Sequence, residues 1–167
     1  MKNDAHKSSL ALIPASFDPL TNGHLDIIQR SQAVFDRLVV AVAVNVEKSG
    51  TFTPEERIAF LESVLGDVPT IQVTSFQGLT TDFAREIGAN VVIRGVRAMS
   101  DFEYEFEMAL MNKHLYPEIE TVFMMASAEY LYVSSSRLKE LVQFGRDVSE
   151  FVPAAVAQKL KERLEKT

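Results

Sequence analysis

Four groups that are cationic, or can become so, stand just beyond apolar runs of the chain: His24, Lys48, Arg94 and Arg97. His24 closes the stretch Ser16-Phe17-Asp18-Pro19-Leu20-Thr21-Asn22-Gly23-His24, where proline, Asp, Asn and Gly force a sharp turn between an apolar run and a helical pattern. A fifth polar segment, Tyr130 to Ser136, also follows an apolar run and ends in three serines. In a parallel sheet such strand ends share one rim, so these clusters converge. Cations beside helix N-termini, in a chain whose overall balance is acidic, suit an anionic small molecule carrying several phosphates. Each group also has a plainer use. Lys48 could be a solvated loop lysine, Arg94 and Arg97 could pair with Glu103 or Glu105, and the serines cap a helix whether or not they touch a ligand. No Gly-x-Gly-x-x-Gly follows the first apolar run and no Gly-x-x-x-x-Gly-Lys-Ser/Thr exists, which argues against a dinucleotide oxidoreductase and a P-loop kinase. Nothing resembles a Ser-His-Asp triad or a zinc-binding HExxH, and cysteine is absent, so disulfides and thiolate metal sites are excluded.

The elements that must position these groups can be read from periodicity. Leu10 to Ile13 predicts a buried strand, and Leu25, Ile28 and Phe35 a helix capped by Asn22. Leu38 to Val46 is almost continuously apolar, as in a strand covered on both faces, and Asn45 to Thr51 then forms a loop. Thr53-Pro54-Glu55-Glu56 is a capping box with proline at the first helical position, opening a helix that buries Ile58, Leu61 and Leu65. Thr70 to Thr74 predicts a short strand, Leu79, Phe83 and Ile87 a helix stopped by Gly88, and Val91 to Ile93 another buried strand. Ser100 and Glu103 predict a second capping box, at the start of a long helix ending before Pro117. That helix carries two apolar stripes, Phe102-Phe106-Leu110 and Tyr104-Met108-Met111-Leu115; one is expected on its own sheet and the other on a pocket or another subunit. Thr121 to Ala126 predicts the fifth strand. A helix from the serines to Gly145 should bury Leu138, Leu141 and Val142, and a last helix from Pro153 should bury Val156, Leu160 and Leu164. Strand–helix alternation throughout predicts an α/β fold: a Rossmann-like, doubly wound, five-stranded parallel sheet with helices on both faces and C-terminal helices added.

At 167 residues the chain is expected to be one domain, with residues 1–9 a frayed polar tail that lacks a signal-peptide core. Seventeen Lys and Arg against 23 Asp and Glu give a net charge of −6, which disfavours non-specific nucleic-acid binding. No apolar run is long enough to cross a membrane. A cytoplasmic location is the expectation.

With these residues in view, the SFDPxTxGH string from Ser16 to His24 resembles the first signature of nucleotidyltransferases of the T/HxGH superfamily. FTPEER (Phe52 to Arg57), IRGVRAMSDFEYE (Ile93 to Glu105) and VSSSRLKEL (Val133 to Leu141) are similar to a narrower bacterial family within it, which transfers AMP from ATP to 4′-phosphopantetheine in coenzyme A biosynthesis. The resemblance covers the chain from Leu12 to its final helix. It implies that His24 and Lys48 are the catalytic groups, with His24 stabilising charge near the α-phosphate. It further implies ATP contacts from Ser16, Phe17, His24, Gly95, Val96, Arg97 and Glu105 and from Tyr130, Leu131, Tyr132, Val133, Ser134, Ser135 and Ser136. Acceptor contacts would come from Ser16, Lys48, Thr80 and Arg94. Mg²⁺ would travel with the nucleotide phosphates, with no carboxylate cage of the protein's own, and the assembly would be a homo-oligomer, a hexamer of two stacked trimers. Two positions depart from the family pattern: Ala15 replaces a usual glycine, and Thr80 a usual apolar residue. The other readings are an enzyme of the same superfamily with another acceptor, and a non-catalytic nucleotide-binding protein.

Overall fold

Five strands, Leu10–Ala15 (β1), Arg37–Val44 (β2), Ile71–Gln77 (β3), Val91–Val96 (β4) and Glu120–Met125 (β5), pair in parallel in the order β3-β2-β1-β4-β5. The computed structural model describes residues 9–47 and 49–164; Lys48, nearly all of the expected tail and residues 165–167 lie outside them. Strand order reverses between β1 and β4, and a crevice beyond the carboxyl ends of these two is where a sheet of this kind takes a ligand. The predicted Rossmann-like fold is the one observed.

Period-2 alternation explains how both faces are covered. Ala11 and Ile13 of β1, with Leu38, Val40 and Val42 of β2, turn to one side. There they meet α1 (Asn22–Ser31), α2 (Pro54–Leu65), α5 (Ser135–Gln143) and α6 (Ala154–Leu164) through Ile28, Leu61, Leu138 and Leu160. Leu12, Val39, Ala41 and Val92 turn to the other side, against Ala84 of α3 (Thr80–Ile87) and Ile119. A 3-10 turn, Ala128–Tyr130, links β5 to α5.

Several element ends differ from expectation for identifiable reasons. Thr21, not Asn22, caps α1, because Asn22 is drawn elsewhere: its backbone N–H donates to Phe151 O at 2.8 Å and its side-chain amide to Glu150 O at 2.9 Å. The Thr53–Glu56 capping box on α2 forms as predicted. Leu79 is only the N-cap of α3 and is 55% exposed, so Phe83, stacked on Phe76 at 4.6 Å, and Ile87 carry the apolar contact with Thr81 and Ala84. Gly88 ends that helix in the left-handed region, φ 72°, as expected of a glycine there. β3 extends three residues past its predicted end, to Gln77. Leu141 of α5 is partly exposed rather than inside.

The long helix α4 (Met99–Leu115) departs most. No Ser100–Glu103 box forms; Ala98 is the N-cap without a side-chain bond, and Asp101 supplies the acceptor, taking both the backbone N–H and the Nε of Arg97. Neither apolar stripe lies flat on the sheet, and no residue of the helix is fully buried. The side turned inward is Phe102, Glu105, Ala109 and Asn112, with Phe102 meeting Phe123 of β5 edge-on at 5.2 Å. Phe106, Leu110, Tyr104, Met108, Met111 and Leu115 are all exposed at 41% or more.

Candidate active site

At the end of β1 the chain turns through Phe17, whose φ of 46° is unusual for a side chain of this size. Its ring is buried and meets the His24 ring edge-on at 5.1 Å. Asp18 stabilises the turn from below. Its carboxylate accepts the backbone N–H groups of Thr51 and Phe52, each at 2.9 Å, and pairs with Lys139 at 3.3 Å and Arg57 at 3.5 Å. Burial alone would raise the Asp18 pKa; these donors and cations outweigh it and hold the group ionised, below the usual carboxylate range.

Thr21 and His24 cap α1 reciprocally. The His24 N–H donates to Thr21 Oγ1 at 3.2 Å, while the Thr21 N–H donates to His24 Nδ1 at 3.1 Å. A ring nitrogen that accepts carries no proton, so the neutral imidazole bears its hydrogen on Nε2. Desolvation, then the charges of Arg97 and Arg94, lower the His24 pKa from 6.5 to about 4. The histidine grouped with the cations above is therefore a neutral donor at pH 7.

From the end of β4 come the two arginines. Arg94 makes a forked pair with Glu105 of α4, both bonds at 2.6 Å, and donates from Nη1 to Pro14 O. Arg97 pairs with Asp101 at 2.9 Å and donates to Val133 O at 2.8 Å. The ion-pair use weighed above is thus present, with Glu105 for Arg94 and with Asp101, rather than either glutamate, for Arg97. It does not remove the arginines from the site, since both remain on its wall.

Across from them stands α5. Ser134 caps it by accepting from Arg137 N at 3.2 Å, and Ser135 Oγ donates to Pro19 O at 2.8 Å, joining this helix end to the His24 turn. Asp26 of α1 accepts from the N–H and hydroxyl of Ser127, fixing the start of the 3-10 turn. A Cβ at Gly23 would sit 3.2 Å from Cβ of Tyr130, so only glycine allows this approach without displacement.

These elements enclose a cavity of about 300 Å³ whose wall includes His24, Arg94, Gly95, Arg97, Glu105, Tyr130, Val133, Ser134, Ser135 and Ser136. The N-terminal ends of α1 and α5 both border it. Ala15 lines it too, as an ordinary strand residue whose methyl forms part of the wall. Thr80 lies in an adjoining cavity of about 90 Å³, whose wall also has Tyr104, Met108 and Asn112; Arg94 and Glu105 are shared between the two. Ser16 borders a third cavity, of about 680 Å³, with Asp18, Arg57 and Lys139, and Ser135 and Ser136 are common to it and the first. Phe17 and Val96 are buried, Leu131 and Tyr132 are exposed, and none of the four lines these three cavities. Lys48 lies outside the described residues. Thr21, Ile27 and Ala126 line the central cavity unforeseen; a residue one helical turn beyond Tyr104 and Met108 was the available signal for Asn112.

Among the described residues no three His, Asp or Glu side chains gather as a metal site. The carboxylate on the central wall, Glu105, is already held by Arg94. The donor set does not fit a resident divalent cation, and what it offers is N–H groups, hydroxyls and guanidinium groups suited to phosphate oxygens.

A cytidylyltransferase-like family model matches residues 12–141. With that match over most of its length, the chain belongs to the cytidylyltransferase-like class of nucleotidyltransferases, and its parallel sheet reverses order between β1 and β4 beside the cavity just described. A phosphopantetheine adenylyltransferase from Alkaliphilus metalliredigens is 50% identical over 154 residues, 92% of this chain and 98% of its own. Another from Clostridium tetani is 51% identical over 150 residues, 90% of this chain and 94% of its own. Within the class, the chain belongs to the phosphopantetheine adenylyltransferase family. A crystal structure from Vibrio parahaemolyticus, assigned as a nicotinate-nucleotide adenylyltransferase, superposes with a TM-score of 0.71 over 95% of this chain and 98% of its own; at 14% identity it bears on the fold alone.

Proposed function

We propose that this enzyme transfers the adenylyl group of ATP to 4′-phosphopantetheine, giving dephospho-coenzyme A and pyrophosphate, as a step of coenzyme A biosynthesis. The family relationship supports the choice of substrates. The observation that carries the chemistry is the Thr21–His24 bond, which leaves Nε2–H as the hydrogen-bond donor of a neutral imidazole on the cavity wall.

An oxygen of the acceptor phosphate attacks the α-phosphorus of ATP as the bond to the β-phosphate bridging oxygen breaks in line with it. The acceptor is already an anionic phosphate, so the protein needs no nucleophile or strong base of its own. Its work is positioning and charge stabilisation. His24 Nε2–H donates to a non-bridging α-phosphate oxygen as charge grows there. Arg97, Gly95 and the Tyr130-to-Ser136 segment hold the nucleotide in the central cavity, with the α5 N–H groups toward its phosphates. The pantetheine arm occupies the adjoining cavity beside Thr80, Tyr104 and Met108, and Arg94, standing between the two cavities, reaches the acceptor phosphate; Lys48 is assigned to the same phosphate from the family pattern alone. Mg²⁺ enters as part of the nucleotide substrate, held by phosphates and water. The exposed apolar side chains of α4 support a homo-oligomer, a hexamer in our reading, and we assign the enzyme to the cytoplasm.

A panel of phosphate acceptors tests this reading. Pyrophosphate release from ATP and Mg²⁺ should be fast with 4′-phosphopantetheine and at least 10²-fold slower with nicotinate mononucleotide or phosphocholine, since a site built for one acceptor leaves polar groups unpaired with another. Preference for either alternative acceptor would reject it.

A further inference from the structure

The last helix makes a contact that the reaction as described does not use. Arg163, in the final turn of α6, reaches the start of α2, more than a hundred residues earlier in the chain. Its Nη1 donates to Thr51 O at 2.7 Å and to Glu56 Oε2 at 2.8 Å, and its Nη2 donates to Glu56 Oε1 at 2.8 Å. The guanidinium carbon also lies 4.9 Å from the centre of the Phe52 ring. A bidentate fork of this kind fixes direction as well as distance.

The same two residues, Thr51 and Phe52, are also held by the turn that carries Asp18. Both N–H groups go to the Asp18 carboxylate. Phe52 O accepts from Arg57 Nε at 2.8 Å, and Arg57 Nη1 donates in turn to Ser16 O at 3.3 Å. Every backbone polar group of this dipeptide therefore bonds to a charged side chain: two N–H groups to one carboxylate, two carbonyls to two guanidinium groups. The dipeptide lines the 680 Å³ cavity, and Ser135 and Ser136, which line it too, also border the His24 cavity. Glu56, held at about pKa 2 chiefly by its hydrogen bonds from Arg163 and from the Thr53 N–H, stays ionised over any working pH, so the fork keeps both of its charges.

We infer that Arg163 is a positioning residue for nucleotide binding: from α6 it clamps Thr51 and Phe52 against Asp18, so that the polyphosphate of ATP, reaching from the His24 cavity past Ser135 and Ser136 into the cavity these residues share with Thr51 and Phe52, meets a preformed surface. The inference rests on the assignment of ATP to the His24 cavity. Arg163 itself touches no reacting atom. Its effect is on preorganisation, which appears in affinity. As a partly exposed pair it contributes little to global stability, so the two roles separate experimentally.

The test combines calorimetric titration of Mg·ATP, made without acceptor, with steady-state kinetics on the full chain. Arg163→Ala should weaken ATP binding and raise KM for ATP roughly tenfold. It should leave kcat within about threefold, KM for the acceptor unchanged, and the far-ultraviolet circular dichroism and thermal midpoint close to wild type. Arg163→Lys, which keeps a charged donor for Thr51 O and Glu56, should recover most of the affinity. Glu56→Gln should shift KM for ATP in the same direction, and its effect should be non-additive with Arg163→Ala. Unchanged ATP affinity in Arg163→Ala would overturn the inference, as would a loss shared equally by ATP and acceptor, or one that tracks unfolding in both the Ala and Lys variants. Because calorimetry needs no turnover, weakened ATP binding in a protein that does not use 4′-phosphopantetheine would reject the proposed acceptor and leave the role of Arg163 standing.

Discussion

The backbone N–H of Thr21 donates to Nδ1 of His24 over 3.1 Å, and this bond decides which form of the imidazole faces the cavity. A helix cap and the proposed hydrogen-bond donor for the reaction are thereby the same object. His24→Ala should fold normally and lose roughly 10²–10³ in kcat, the usual cost of one donor aimed at developing charge. Single-turnover measurement of pyrophosphate formation reads the chemical step directly. A variant within a few-fold of wild type would remove His24 from the mechanism.

The pH dependence follows from the same geometry. With its pKa lowered to about 4, chiefly by desolvation and then by Arg97 and Arg94, native His24 stays neutral where the unfolded chain, titrating near 6.5, already binds a proton. Stability contributed by the neutral ring is complete above pH 6.5 and declines as pH falls toward 4, with a slope of at most about 1.4 kcal/mol per pH unit from this group. Proton NMR of the free protein should show one imidazole that does not titrate between pH 5.5 and 8. Normal titration of the His24 ring near 6.5 would show that the buried, Arg-flanked setting has been misjudged.

Arg94 and Arg97 should separate by ligand. Arg94 borders both the central cavity and the one that holds Thr80, whereas Arg97 borders only the central one. Arg94→Ala should therefore weaken 4′-phosphopantetheine more than ATP, and Arg97→Ala the reverse, by at least tenfold in each preferred case. Isothermal titration of the two ligands against the two variants provides the comparison. Equal losses of one ligand in both would contradict the division of the cavities.

Assembly is the fourth expectation. Phe106, Leu110, Tyr104, Met108, Met111 and Leu115 leave α4 apolar on two sides with its own sheet covering neither. Exposed apolar surface of this extent on one helix marks an interface, and closed symmetric assemblies are its common outcome. Light scattering should give a mass several times the 18.7 kDa of one chain. Met111→Glu with Leu115→Lys should dissociate the particle or leave it insoluble. A monodisperse monomer for the unmodified chain at working concentration would defeat this reading.

Much of this architecture is legible from local pattern. Buried strands read as apolar runs, the Thr53–Glu56 box appears where its spacing requires, and the polar clusters after β1, β4 and β5 do meet at one rim. What escapes the sequence depends on partners far along the chain. Thr21 and Asn22 are both competent caps, and the choice falls to Thr21 because carbonyls of Glu150 and Phe151 engage Asn22. The orientation of α4 is hidden because its inward side includes a charge, Glu105, acceptable there only through the fork from Arg94. Periodicity of apolar residues alone points to the wrong face. The neutrality of His24 likewise needs burial and two arginines that only the fold brings near.

The central claim, that AMP passes from ATP to 4′-phosphopantetheine in this site, is tested most directly by identifying the product. The purified chain should be incubated with ATP, Mg²⁺ and 4′-phosphopantetheine, and the mixture resolved by mass spectrometry while pyrophosphate is counted in parallel. Dephospho-coenzyme A and pyrophosphate should form in equal amounts, at a rate reduced roughly 10²–10³-fold by His24→Ala. Pyrophosphate release without dephospho-coenzyme A, or no turnover by a folded chain that binds both ligands, would contradict it.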